Sequence, residues 1–90
     1  MAVAVSIPTI LRPYTGNARS VEVSGDSLKS LIENLDEKYP GLGDRLLENG
    51  QLRRFVNIYI NDEDVRFMGS LDAKLNDGDA VTILPAVAGG

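Results

Sequence analysis

Asn76-Asp77-Gly78-Asp79-Ala80-Val81-Thr82-Ile83-Leu84-Pro85 is the stretch that decides the fold. Asn76 to Asp79 is a tight turn, and Gly78 is its residue able to take a positive φ. The run Ala80 to Leu84 is apolar enough to be a buried strand. Pro85 has no N–H to donate, so the ladder stops there. Beyond it lie Ala86-Val87-Ala88-Gly89-Gly90, all small side chains ending in two glycines. Six residues, 85 to 90, reach at most about 20 Å when extended. The reading therefore divides the chain into a body, 1–84, and a slim flexible tail, 85–90, that the strand aims outward.

Upstream, the period of the apolar residues changes twice. Val3, Val5 and Ile7 alternate with Ala2, Ala4 and Ser6, which predicts a strand with one buried face, running to Leu11 with Pro8 at an edge or bulge. Tyr14-Thr15-Gly16-Asn17 reads as a turn, and Arg19 to Val23 alternates again with Val21 and Val23 inward. Leu28, Leu31, Ile32, Leu35 and Tyr39 then fall on one face of a helix. Asp26 is its expected N-cap and Pro40-Gly41 its stop. Leu42, Leu46 and Leu47 predict a further helical turn before Asn49-Gly50. Val56, Ile58 and Ile60 restart a strand, Asn61 to Asp64 turns, and Val65-Arg66-Phe67 reads as a short return strand.

The order is strand, strand, helix, strand, short strand, strand. One helix with an apolar stripe must bury it against a sheet. The expected architecture is α+β, a β-grasp: a mixed sheet of about five strands wrapped on one main helix, with the first and last strands adjacent in its middle. If Val56, Ile58 and Ile60 face the helix, Phe55 and Tyr59 face out, and so does Leu84 where Val81 and Ile83 face in. Phe55, Tyr59, Leu84 and Pro85 then form an exposed patch beside the tail, a candidate partner surface.

Composition bounds the chemistry. The 90 residues carry a net charge of −4, 43% hydrophobic residues, no cysteine and no histidine. Scattered Arg and Lys on an acidic chain exclude the basic footprint of a nucleic-acid binder. A Cys-based metal site or disulfide framework is excluded too. The usual general base near neutral pH is missing, and with it the triads that need one. Asp62-Glu63-Asp64 lacks the oxygen spacing and glycine of a calcium loop. The N-terminal residues lack the basic and apolar regions of a signal peptide, and no apolar run is long enough for a membrane span. The expectation is a cytoplasmic monomer without catalytic residues of its own.

Leu75-Asn76-Asp77-Gly78-Asp79 through Leu84-Pro85 to Gly89-Gly90 resembles the C-terminal signature of the ThiS/MoaD sulfur-carrier family. Gly25-Asp26-Ser27-Leu28 to Tyr39-Pro40-Gly41 is similar to the family's helix, and Val56 to Asn61 to its middle strand. Leu84 stands where the family more often has a bulky aromatic. Val5 to Pro13, Arg54 to Tyr59 and Ala86 to Gly90 are similar to the actinobacterial branch that serves cysteine biosynthesis. The resemblance implies that the Gly90 carboxylate is the modified group, with Val87, Ala88, Gly89 and Gly90 entering a partner's active site. An E1-like activating enzyme would adenylate Gly90 with ATP and Mg, and a sulfur donor would convert it to a thiocarboxylate. A PLP-dependent cysteine synthase would accept the sulfur, and a zinc metallopeptidase would release the cysteine. Two other outcomes stay open at this level. One is a protein modifier joined through Gly90 to lysines of targets; the other is a sulfur donor to thiamin, molybdopterin or a secondary metabolite.

Overall fold

The computed structural model describes residues 2–53 and 56–85. Seven strands and two helices follow one another: β1 (Ala2–Ser6), β2 (Ser20–Ser24), α1 (Leu28–Lys38), α2 (Leu42–Leu46), β3 (Leu47–Glu48), β4 (Gln51–Leu52), β5 (Val56–Ile60), β6 (Glu63–Asp64) and β7 (Ala80–Pro85). Five of the strands make one sheet in the order β2-β1-β7-β5-β6, and β3-β4 is a separate ribbon. This is the expected β-grasp. β1 and β7 lie parallel at the centre with Val5 opposite Val81, and every other pair is antiparallel.

The core lies between one sheet face and the helices. Val3, Val5, Val21, Val23, Ile58, Ile60, Val81 and Ile83 meet Leu28, Leu31, Ile32, Leu35, Leu42 and Leu46, all buried. Asn34 donates to the Ser24 carbonyl (2.8 Å) and Lys38 to that of Glu22 (3.2 Å), which ties the polar flank of α1 to β2. Every buried side-chain polar atom among the described residues has a partner.

Three local expectations are corrected. β1 ends at Ser6 and does not run to Leu11; a 3-10 helix, Thr9–Thr15, replaces its second half. Pro8 starts that helix by accepting from the Leu11 N–H (2.9 Å). Leu11 and Thr15 then turn inward at a spacing no strand has. The N-cap of α1 is Ser27, whose Oγ accepts from the Ser30 N–H at 3.2 Å; Asp26 instead accepts from the Ser30 hydroxyl at 2.9 Å. Ser27 immediately precedes Leu28 and so sits at the right distance, whereas the Asp26 carbonyl is taken by the Leu75 N–H (3.0 Å). Finally, the return strand is Glu63–Asp64, and Val65–Phe67 is a 3-10 turn. The Asp64 carboxylate accepts from the Arg66 N–H at 2.9 Å, which bends the chain out of the ladder. Val65 is buried and Phe67 is 85% exposed as a result.

Two tight spots carry testable energetics. Asp36 Oδ1 accepts from the Gly41 and Gly43 N–H groups (3.2 and 2.9 Å) and so joins α1 to α2. A Cβ on Gly43 would stand 2.8 Å from the Asp36 Cβ and Cγ. Gly43→Ala is expected to cost about 1–3 kcal/mol, read as a lowered urea midpoint; an unchanged midpoint would show that Asp36 swings clear at no cost. The second spot is the turn before β7. The Asn76 N–H donates to Asp79 Oδ2 (2.8 Å) and the Asn61 amide to Asp79 Oδ1 (2.9 Å). Those donors, Asn76 first, hold the Asp79 carboxyl below its ordinary pKa. A depressed carboxyl adds stability above the unfolded value, about 3.9, and loses it as pH falls through the folded value. Asp79→Asn should therefore destabilise the chain at neutral pH, by a margin that shrinks below pH of about 4; a margin independent of pH would assign the loss to packing.

Candidate functional site

β7 is laddered to β1 over residues 80–82 and to β5 over residues 81–85. Its register is thus set on both sides at its start, and β5 alone carries the ladder to its last residue. Pro85 is the last ladder residue, opposite Val56, one position further than the body's expected boundary. Val87, Ala88, Gly89 and Gly90, the residues read as the working tail, lie outside the described residues, as does Phe55.

Of the expected patch, Tyr59 and Leu84 sit where alternation puts them, whereas Pro85 stands opposite Val56 at a register position of the other parity, and its side chain lies outside what the structure describes. Leu84 pairs with Asn57, and Tyr59 with Thr82, so all four share the sheet face that points away from α1. Leu84 is 45% exposed; Tyr59, Asn57 and Thr82 are half-buried. Ala4 and Ser6 continue this face on β1 and are exposed. The 42–52 segment does not shut Leu84 away. At the free edge of β5, the Arg66 guanidinium donates to the Val56 carbonyl (3.2 Å) and to Asn57 Oδ1 (2.7 Å) and lies 3.9 Å from the Asp64 carboxylate. A charged side chain across an unpaired edge discourages another strand from adding there.

Sequence reasoning missed a second feature beside the strand end. Pro8, Ile10, Leu11, Tyr14, Val56 and Ile83 enclose a groove of about 300 Å³, which Leu84, Arg45 and Arg53 complete. Ile10 is 68% exposed, because the 3-10 helix that turns Leu11 inward turns its neighbour out. Arg45 Nε donates to the Tyr14 hydroxyl at 2.7 Å, and the guanidinium lies 5.8 Å from the ring centre. The phenol oxygen stabilises that charge and raises the Arg45 pKa further. Arg53 donates to the Asp44 carbonyl (2.8 Å) and lies 3.5 Å from the Glu48 carboxylate. The strand expected to run to Leu11 included Ile10 as an outward residue, but nothing in the sequence pointed to the 3-10 helix that sets it beside β7. Arg45 and Arg53 had none, since they lie outside any periodic pattern.

A larger hollow of about 680 Å³ gathers Arg53, Arg66 and the 69–72 turn. Its guanidiniums each lie near a carboxylate, Arg53 at 3.5 Å from Glu48 and Arg66 at 3.9 Å from Asp64, and among the described residues that line it Ser70 carries the one hydroxyl. Among the described residues no group of acidic side chains could hold a metal ion, and no helix is long and apolar enough to cross a membrane. The arrangement is a rigid exit with a surface around it.

Comparison with known proteins agrees with this geometry. The ThiS family pattern matches residues 5–90. The sulfur carrier protein CysO of Mycobacterium tuberculosis is 59% identical over the full length of both chains. Small archaeal modifier protein 3 of Haloferax volcanii is 41% identical over 73% of this chain and 67% of its own. Among solved structures, the BexX/CysO complex of Amycolatopsis orientalis contains a chain that superposes with a TM-score of 0.94 at 53% identity, covering 99% of this chain and 100% of that one. The full-length relatives at this level of identity are named as sulfur carrier proteins. With its β-grasp body, its fixed last strand and its Gly89-Gly90 end, the chain belongs to the ThiS family and is a homologue of the CysO sulfur carriers.

Proposed function

We propose that this protein carries sulfur as a thiocarboxylate on Gly90, most directly for the synthesis of cysteine. The observation that supports this above others is full-length similarity to CysO, joined to a sequence that follows the last strand, Ala80–Pro85, with small residues and Gly89-Gly90. A carboxylate resists nucleophilic attack. In this reading an activating enzyme, with its own ATP and Mg, joins a Gly90 oxygen to AMP and releases pyrophosphate. A sulfur nucleophile then attacks the acyl carbon and AMP leaves. The product sulfur is ionised at neutral pH and is a nucleophile, as thiolates are and thiols are not. The consuming step falls to a PLP-dependent cysteine synthase, and a zinc metallopeptidase frees the cysteine from the tail. All of these groups reside in partners.

The residues suit a substrate role. Gly89 and Gly90 have no Cβ, so a narrow channel can admit them. The chain has no cysteine to capture the activated acyl group in cis. Its sheet face, with Leu84 and Tyr59, offers the body-to-body contact that a transient partner needs. Similarity to the archaeal modifier favours one second reading, in which Gly90 ends in an amide to a lysine of another protein. Both readings share the adenylate and differ in what attacks it.

Reconstitution with candidate activating enzymes, followed by intact-mass spectrometry, separates them. Exchange of one oxygen for sulfur supports the carrier; conjugates of high mass support the modifier; an unmodified chain in every mixture defeats both. Removal of Gly90 should abolish the mass change and leave the melting temperature untouched. Leu84→Asp, on the exposed sheet face, should lower the efficiency of thiocarboxylation about tenfold while the fold persists, the loss of one moderate interface contact; full efficiency would move the contact elsewhere.

A further inference from the structure

The groove at the strand end is apolar in its floor and basic at its rim, on a protein whose net charge is −4. Leu11 and Ile83 make the floor, and exposed Ile10 and Leu84 make the lips. Arg45 is exposed, and among the described residues no carboxylate lies within ion-pair distance of it. Its one side-chain partner is neutral Tyr14, which fixes the guanidinium in direction without cancelling its charge. Arg53 beside it is only partly balanced by Glu48, at 3.5 Å. A volume of about 300 Å³ accommodates one or two large side chains.

We propose that this groove receives a segment of the activating enzyme that presents a large apolar side chain flanked by a carboxylate. The proposal rests on the carrier reading above and adds the chemistry of its docking partner. Two features select that occupant. Leu84 is the penultimate residue of β7, and the chain beyond it spans no more than about 20 Å. An enzyme that takes Gly90 into its active site therefore lies over the strand end and its groove. The rim then selects for negative charge, since burying an uncompensated guanidinium under a neutral partner is costly. Pro8 and Pro13 stiffen the 3-10 helix that carries Ile10, so the apolar lip is formed before binding and little order is lost on contact.

The test is carrier-dependent pyrophosphate exchange by the activating enzyme found in the reconstitution, with KM for the carrier read separately from kcat. Ile10→Asp and Arg45→Glu should each raise KM about tenfold, the scale of one interface contact, with kcat little changed. The wild-type KM should climb with salt, and Arg45→Gln should flatten that climb. Lys29→Glu, on the exposed side of α1, alters net charge by as much as Arg45→Glu and should leave KM alone. Tyr14→Phe keeps the ring and frees Arg45; an effect as large as that of Arg45→Glu would reduce Arg45 to a structural role and overturn the proposal. So would unchanged KM for Ile10→Asp and Arg45→Glu while wild-type exchange is normal. A fall in KM for Ile10→Asp would assign the groove to the chain's own last residues. Concentration-dependent dimers in sedimentation, lost in Ile10→Asp, would assign it to a second copy. Absence of exchange by the wild-type chain would defeat the carrier reading itself, an outcome distinct from all of these.

Discussion

Everything in this molecule hangs on the seating of β7 between β1 and β5. Its two neighbours, residues 2–6 and 56–60, lie far apart in sequence, and the parallel pairing with β1 closes almost the whole chain into one loop. Such a pairing is entropically costly and slow to form. The 76–79 turn offsets that cost locally. The Ala2 N–H donates to Asp77 Oδ1 (2.9 Å) and the Gly78 N–H to the Ala2 carbonyl (3.1 Å), which binds the turn to the start of β1. On the other flank Asn61 exchanges with Ala80, its Oδ1 accepting from the Ala80 N–H (3.0 Å) and its own N–H donating to the Ala80 carbonyl (2.8 Å). Asp79 then holds the Asn61 amide. One four-residue turn thus sets the register of both ladders, and register decides which face of β7 meets the core.

That register connects fold to function. With Val81 and Ile83 inward, Thr82 and Leu84 must face outward, and β7 ends at Pro85 on the side of the sheet opposite the turn. A slip of one residue would bury Leu84 and expose Ile83. Precision at Asp77 and Asp79 therefore determines where the tail that begins at Pro85 starts its reach. The arrangement requires no moving part within the body.

Much of this was legible in the sequence because periodicity and turn chemistry report backbone geometry directly. The alternation in β1, β2 and β5 and the Leu28/Leu31/Ile32/Leu35 stripe named nearly all of the core, and Gly78 marked the turn. Failures came where a side chain competed with the main-chain pattern. Val65 and Phe67 alternate as a strand does, but the Asp64 carboxylate captures the Arg66 N–H and curls the chain. Ser27 outcompetes Asp26 as cap by one position. The β3-β4 ribbon was invisible because two-residue strands have no period, although Asn49-Gly50, both at positive φ, is the turn such ribbons favour. The groove was hidden for a different reason: Ile10, Arg45 and Ile83 come from three separate elements, and only the fold brings them together.

The distribution of chemistry completes the picture. Acidic side chains are spread over strands, helices and turns, while the basic side chains of the groove stand near the end of β7. The sequence has no histidine or cysteine, and among the described residues no acidic group could hold a metal ion. In the carrier reading the protein influences a reaction through where it places its end and whom it admits there. Placement follows from two ladders and one turn. In the docking proposed above, admission would depend on a surface that combines a sheet face, exposed apolar groups and a local positive field on a negative body. Long-range repulsion by the body's net charge would hold acidic partners off, whereas the guanidiniums of the groove would attract them at close range, and only in one orientation. Orientation is what the proposed role needs, because a partner docked on a distant face would leave Gly90 out of its reach.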